Sequence, residues 1–291
     1  QGPYNPELAE MLYGLGNTLQ LNNQPNKALA IYKKALYIKR INNGLHDLSQ
    51  EAILRGIIKN QTSQGKITEA TASYGQLLQV YLKTYGENNP ELIPLMKEIS
   101  QWHVNTYLQT GGRNDGYHLE ISFQLYSDAI RLSKEGQEKE NIKTLSLMND
   151  LATTCYYLSA HQQLYPDFGN FGASMPFGYR PMTPANSVQG RGAYFKHGKL
   201  IQEEIIQTLQ ENTNFTTIEK ALGQTSLGDW YLLFGKYQLA LNAHREAYNI
   251  MAENKPGLEA LDKIYSKPVM LPKRTNFFDL QEPNKSKKIT K

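Results

Sequence analysis

Six histidines (His46, His103, His118, His161, His197, His244) and a single cysteine, Cys155, are the side chains with most to offer a metal or nucleophilic site. No two of the histidines stand four residues apart around a glutamate, the spacing that a zinc-hydrolase helix needs. One cysteine builds neither a disulfide framework nor a cysteine-rich zinc site. As a nucleophile it would need a paired base, and the sequence identifies none. The run from Gly192 to Gly198-Lys199 faintly imitates a phosphate loop. It has one intervening residue too many, and Leu200 stands where a hydroxyl should hold Mg²⁺. Gly111-Gly112-Arg113-Asn114-Asp115-Gly116 lacks the carboxylate spacing of a calcium loop and reads as a turn between helices. The sequons at Asn60 and Asn214 read as accidental. These patterns predict no catalytic constellation, no metal, no cofactor and no small-molecule substrate: the expectation is a protein that is not an enzyme.

Charge narrows the partner class. Residues 267–291 hold seven Lys/Arg against two acids, whereas the other 266 residues hold 24 basic against 25 acidic groups. The pI of 8.8 therefore describes the tail more than the body. A body that bound nucleic acid would carry its own basic stripe. A hydrophobic fraction of 40% supplies a large core, and no run approaches the roughly 18–20 apolar residues of a membrane-spanning helix.

The elements that must position any site are repetitive. Gly2-Pro3-Tyr4-Asn5-Pro6-Glu7-Leu8 returns as Gly86-Glu87-Asn88-Asn89-Pro90-Glu91-Leu92, displaced by 84 residues, and Ala28, Tyr32 and Leu36 return as Ala70, Tyr74 and Leu78, displaced by 42. Two signals share one period, the mark of a repeat architecture. Each unit reads as two helices. Asn5 and Asn89 stand at N-cap positions, each followed by a proline that loses no needed hydrogen bond at the first helical position. Leu8, Leu12, Leu15 and Leu19 form one apolar stripe, the stretch 22–26 is turn chemistry, and Ala28, Ile31, Tyr32, Ala35, Leu36 and Ile38 form the next stripe. The pattern predicts ten helices, near 6–21, 25–41, 48–63, 67–85, 90–109, 116–135, 141–161, 190–211, 215–234 and 237–253.

Leu12, Leu15-Gly16, Leu19, Ala28, Tyr32 and Ala35 resemble the tetratricopeptide (TPR) motif, and Leu227-Gly228, Tyr231, Ala240, His244 and Ala247 match it again. The second unit keeps Leu54, Ile57, Ala70, Tyr74 and Leu77. The third keeps Met96, Ile99, Ser100, Tyr126 and Ala129, and the fourth Met148, Leu151-Ala152 and Cys155. The small residue at the helix contact is Gly16, Ser100, Ala152 and Gly228, with Ile58 the exception. The 42-residue period exceeds the usual 34 and resembles kinesin-light-chain-type repeats. The resemblance covers about residues 6–252. It implies an all-α, right-handed TPR superhelix of about five helix pairs, in which His103, His244 and Cys155 serve packing.

Two segments interrupt the pattern. Residues 164–189, with Phe168, Phe171, Phe177 and Tyr179 among several prolines, form a long aromatic-rich insertion, too long for an ordinary connection. It reads either as a cover for a helix face or as part of a binding surface. The expected organisation is thus a solenoid over 1–253 with that insertion, followed by 254–291. There a short helix near 258–265 would cap the array and a basic extended arm or linker would follow.

A narrower resemblance rests on Gly2-Pro3-Tyr4-Asn5-Pro6, Asn43-Gly44-Leu45, Trp102-His103, Gly190-Arg191-Gly192 and the run Leu227 to Phe234. These phrases are similar to gammaproteobacterial cell-envelope TPR proteins, some of which continue past a proline-rich link into a small TonB-like domain. That similarity implies a periplasmic or envelope location and a role in protein contacts. Carrying the TPR groove positions onto this chain gives Tyr13 and Asn17, Arg55 and Lys59, Lys97 and Gln101, Asn149 and Thr153, and Thr225 and Asp229. Asn17 matches the asparagine that grips a peptide main chain. Arg55, Lys59 and Lys97 would make the middle of the groove basic and suited to an acidic segment or a terminal carboxylate. Tyr13 stands where chaperone-binding repeats place the first lysine of their clamp. The equally open reading of these positions is an ordinary solvated face. The functional expectation is a non-catalytic scaffold that holds a protein or peptide partner in an envelope complex. The alternative is a cytoplasmic adaptor whose basic tail meets nucleic acid or an acidic protein.

Overall fold

The computed structural model describes residues 4–136, 142–166 and 192–252. Among them are ten α-helices: α1 (Pro6–Leu21), α2 (Pro25–Asn43), α3 (Glu51–Ser63), α4 (Ile67–Tyr85), α5 (Ile93–Thr110), α6 (Gly116–Glu135), α7 (Ile142–Leu164), α8 (Ala193–Glu211), α9 (Thr217–Leu233) and α10 (Tyr237–Ala252). The described residues hold no strand. The expected helices are all present, with ends shifted by a few residues. The largest shifts are of three residues: α3, α5 and α8 begin that much later and α7 runs that much further. Pro90 opens a 3-10 turn ahead of α5 instead of the α-helix itself. The capping helix near 258–265, the tail and most of the 164–189 insertion lie outside the described residues.

The 42-residue period is written into local hydrogen bonds. Asn5, Asp47 and Asn89 stand 42 residues apart, and each side chain accepts from the backbone N–H two residues on, at 3.1, 2.9 and 2.9 Å. These bonds satisfy donors that an opening turn leaves unpaired. Between paired helices the chain turns through a left-handed residue at one register: Asn23 at φ 57°, Gly65 at 67° and Gly235 at 66°. The next residue then donates back across the turn, Gln24 to Leu19, Lys66 to Gln61 and Lys236 to Tyr231, at 2.8 to 3.0 Å. That bond closes the helix end and aims the second helix back along the first.

The chain divides into two compact units within α5, between Trp102 and His103. In the first, Ala9, Ala28, Tyr32, Ala35, Leu54 and Leu77 are fully buried between paired helices. Gly16 lets α1 and α2 close on each other, since a Cβ there would lie 2.5 Å from the Tyr32 ring. Ile58, at the equivalent place in α3, is itself buried, and Tyr74 of α4 lies against Trp102, ring centroids 5.4 Å apart.

The second unit has a more polar interior. His103 and His118 are buried with their Nδ1 atoms 2.7 Å apart, so one imidazole donates to the other. Burial pushes His103 down to about 3, helped by His118, and pushes His118 down to about 4. Both are neutral and structural. Tyr107 and His161 are joined at 3.1 Å. Cys155 is wholly buried, and burial raises its thiol far above the ordinary range, which leaves it inert. Gly198 is a packing residue on α8, where a Cβ would lie 2.3 Å from Trp230. That answers the faint phosphate-loop pattern. In the first unit Asn60, one of the two sequons, is fully buried and donates to the Pro25 carbonyl at 3.0 Å.

Candidate functional site

The first helix of each hairpin carries the candidate positions. In the first unit the period sets Tyr13, Arg55 and Lys97 at one register of α1, α3 and α5, and Asn17, Lys59 and Gln101 one helical turn further on the same face. Asn17 is half-buried. Its side-chain oxygen accepts from Tyr32 Oη at 2.7 Å, and what Asn17 can still offer a main-chain carbonyl is its amide N–H₂. Tyr13 lies beside the same ring, with centroids 6.0 Å apart. Lys59 and Gln101 are exposed, and Lys97 is half-buried.

Arg55 corrects the expectation of a basic middle. Its Nε donates to Glu51 at 2.7 Å and its Nη1 to Glu98 at 2.7 Å, so one guanidinium faces two carboxylates. Burial works against the guanidinium charge, but the hydrogen bonds to Glu98 and Glu51 outweigh it and hold the pKa above its ordinary value. Burial likewise works against ionised Glu51, and the bonds from Arg55 and from Tyr81 Oη, at 2.7 Å, hold its carboxyl below the usual range. Tyr74 is pushed up to about 12 by burial and by its hydrogen-bonded neighbour Glu98. This face therefore carries a fixed Glu51–Arg55–Glu98 network flanked by tyrosines, beside the exposed cation Lys59.

In the second unit the equivalent positions turn inward. Asn149 Oδ1 accepts from Gln202 Nε2 at 2.9 Å and from Ser226 Oγ at 2.6 Å, tying α7 to α8 and α9. Thr153 donates to the Asn149 carbonyl, and buried Thr225 donates to the Ala221 carbonyl. Asp229 is buried with an oxygen 3.7 Å from His244 Nε2. Asn149 thus ties helices together, whereas Thr153 and Thr225 bond back within their own helices. Phe168, Phe171, Phe177 and Tyr179 lie outside the described residues.

Sequence reasoning missed the carboxylates. Glu51 was detectable as the residue one turn before Arg55. Glu98 was not, because it reaches Arg55 only through the packing of α5 on the preceding hairpin. A groove of about 630 Å³ was missed as well. Ile130, Leu145 and Met148 line its floor, and the Arg131–Glu135 and Lys134–Glu204 ion pairs line its rim. Its lining comes from α6, α7 and α8 together, and hydropathy patterns do not report such a gap. Among the described residues no three His, Cys, Asp or Glu side chains converge as a metal site would need. No helix of the described residues is long and apolar enough to cross a membrane.

No protein-family model matches the chain, and no curated protein matches it. Solved structures do. Two crystal structures of a Podosopora anserina protein with nearly identical TPR-like repeats, of kinesin-light-chain kind, are similar to it at 13% identity. One has a TM-score of 0.54 over 86% of this chain and 98% of that one. The other has a TM-score of 0.51 over 86% and 97%. At that identity the likeness concerns the path of the backbone, and the conclusion it carries is the fold: an all-α solenoid of TPR-like repeats over the described residues.

Proposed function

We propose that the protein is a non-catalytic scaffold that holds a protein or peptide partner on the first-helix face of its first unit, within a bacterial envelope complex. The observation that carries this is the periodic face itself. Three first helices present Tyr13/Asn17, Arg55/Lys59 and Lys97/Gln101 at a common register, as a surface that reads an extended chain at regular intervals requires. The Glu51–Arg55–Glu98 network keeps that face rigid, so little ordering cost is added on binding. With Arg55 neutralised, Lys59 is the exposed cation suited to an acidic side chain or terminal carboxylate, and the Asn17 amide suits a peptide carbonyl. The envelope location rests on the phrases shared with envelope TPR proteins, from Gly2-Pro3-Tyr4-Asn5-Pro6 to the run ending at Phe234.

The test is capture from separated envelope and cytosolic fractions by the immobilised chain, repeated with Asn17→Ala and Lys59→Glu. A partner enriched from the envelope fraction and lost with either variant is expected. Capture indifferent to both variants overturns the site, and a partner found in the cytosol alone overturns the location. Steeply salt-dependent binding of DNA, abolished by removing 267–291, would instead establish the nucleic-acid adaptor.

A further inference from the structure

One cation of the first unit meets no anion. Arg40, half-buried in the last turn of α2, donates from Nε to Gln50 at 2.9 Å and from Nη2 to Gln76 of α4 at 3.0 Å. Both acceptors are neutral amide oxygens, and among the described residues no carboxylate is paired with Arg40. Asp47 accepts from the Ser49 backbone and from Asn43, and Glu51 accepts from Arg55 and Tyr81. Burial alone acts on the Arg40 guanidinium and lowers its pKa, whereas Arg55, beside two carboxylates, is held above its ordinary value. A partly desolvated charge without a counter-charge costs stability.

The internal repeat shows that the fold does not require this charge. A shift of 42 residues lays Arg40 on Leu82 and Gln50 on Leu92. Gln50 and Leu92 each end the short 3-10 turn before a first helix, and both are 0% exposed. Two leucines therefore stand at the second junction where an Arg–Gln pair stands at the first. The surface nearby differs in the opposite sense. Tyr37, one turn before Arg40, is 56% exposed, and Ile41, one turn after Tyr37, is 49% exposed. Their counterparts on α4 are the polar residues Gln79 and Lys83. Lys83 is exposed although hairpins both precede and follow its own, so this is an outer face and not a seat between repeats.

We propose that Arg40 is the centre of a second binding site, on the outer face of α2, and that its occupant is an Asp or Glu carboxylate of a partner protein whose neighbouring apolar side chains cover Tyr37 and Ile41. The partner supplies the counter-charge that the fold withholds. An arginine fork matches a carboxylate with two parallel hydrogen bonds, and Arg40 has used only two of its five N–H groups. Gln50 donates in turn to the Gly44 carbonyl at 2.9 Å, so the fork is held by a group that is itself fixed, and little rotamer freedom is lost on binding. Tyrosine and arginine together are the side chains that most often carry the energy of an interface. The site is independent of the first-helix face, where Arg55 already has its carboxylates.

The experiment uses the whole 291-residue chain carrying Lys59→Glu, so that the first-helix face does not contribute. A short fluorescein-labelled peptide of alternating Glu and Leu is titrated by anisotropy, with the Gln–Leu peptide as its neutral counterpart. The acidic peptide should bind, and the neutral one at least about tenfold more weakly. Arg40→Leu combined with Gln50→Leu installs the residues that the second junction already uses. It should keep the urea midpoint at or above that of the parent and weaken the acidic peptide about tenfold or more. Arg40→Lys keeps the charge without the fork and should weaken it about threefold or more. Four results would overturn the proposal: no binding of the acidic peptide, equal binding of the neutral one, binding untouched by the Arg40 variants, or a urea midpoint lowered by the double variant, which would make Arg40 a structural residue.

Discussion

The first and last hairpins solve one packing problem with different chemistry. In the first, Gly16 admits the Tyr32 ring and Tyr32 Oη donates to Asn17 at 2.7 Å. In the last, Gly228 admits the His244 ring, and Asp229, at the position of Asn17, lies 3.7 Å from Nε2. The first ring is locked. It is 1% exposed, it touches the Gly56 position of α3, and Tyr13 lies beside it. The second ring has about a fifth of its side chain open. The same backbone motif therefore tolerates change differently according to what covers its ring.

The largest expected effect follows from that cover. Gly16→Ala sets a Cβ 2.5 Å from a ring that cannot withdraw, so a cost of about 2 kcal/mol is expected in urea unfolding followed by circular dichroism. Gly228→Ala sets its Cβ 2.6 Å from His244, whose side chain is about a fifth exposed and so less tightly enclosed. The gain of about 1 kcal/mol in helix propensity offsets the adjustment, so the net change should lie within about 0.5 kcal/mol. Equal costs at the two glycines would end the distinction between locked and open rings.

A smaller effect sharpens the same contrast. Tyr32→Phe keeps the ring and removes the hydrogen bond to Asn17, with a second, longer one to Gln20, for an expected loss of about 1 kcal/mol. His244→Phe keeps a ring over Gly228 and gives up an approach to Asp229 made by a side chain about a fifth exposed, where solvent screens it. It should change stability by less than about 0.5 kcal/mol. A larger loss at His244 than at Tyr32 would mean that the last hairpin depends on its polar pair.

Most of the fold was legible, because period, caps and turns are local. Asn5 and Asn89 announce helix starts from their own side chains, and the stretch 22–26 announces the turn that Asn23 makes. The candidate face was legible in register but not in charge. Arg55 is cationic in the sequence, and only packing of α5 on the preceding hairpin brings Glu98 to it. Asn149 was legible as a first-helix position, yet whether it faces a partner or ties α7 to α8 and α9 depends on where Gln202 and Ser226 arrive. Non-local contacts decide such roles, and periodicity does not contain them.

The smallest predicted effect contrasts the carboxylates of the two units. In the first, hydrogen bonds from the Ser49 side chain and backbone hold Asp47 below its usual range, and those from Arg55 and Tyr81 overcome burial to do the same for Glu51. Those contributions are complete above the unfolded values and are lost only as the pH falls through the folded ones, so they are constant between pH 5 and 8. In the second, burial pushes Glu120 up from 4.5 to about 7. The folded chain then holds this proton more tightly than the unfolded chain does, so stability falls as pH rises from about 4.5 through about 7 and stays lower above that. The two tryptophans, Trp102 and Trp230, lie one in each unit, and Trp102→Phe leaves fluorescence that reports the second alone. In that background the urea midpoint should be lower at pH 8 than at pH 5, and Glu120→Gln, neutral at both, should remove the part of the difference that Glu120 causes. The histidines do not imitate this slope. His103 and His118 are held neutral in the fold, so they weaken it only as pH falls below about 6.5, the opposite direction. An unchanged midpoint difference in Glu120→Gln would show that its carboxyl titrates in the fold as it does in the unfolded chain.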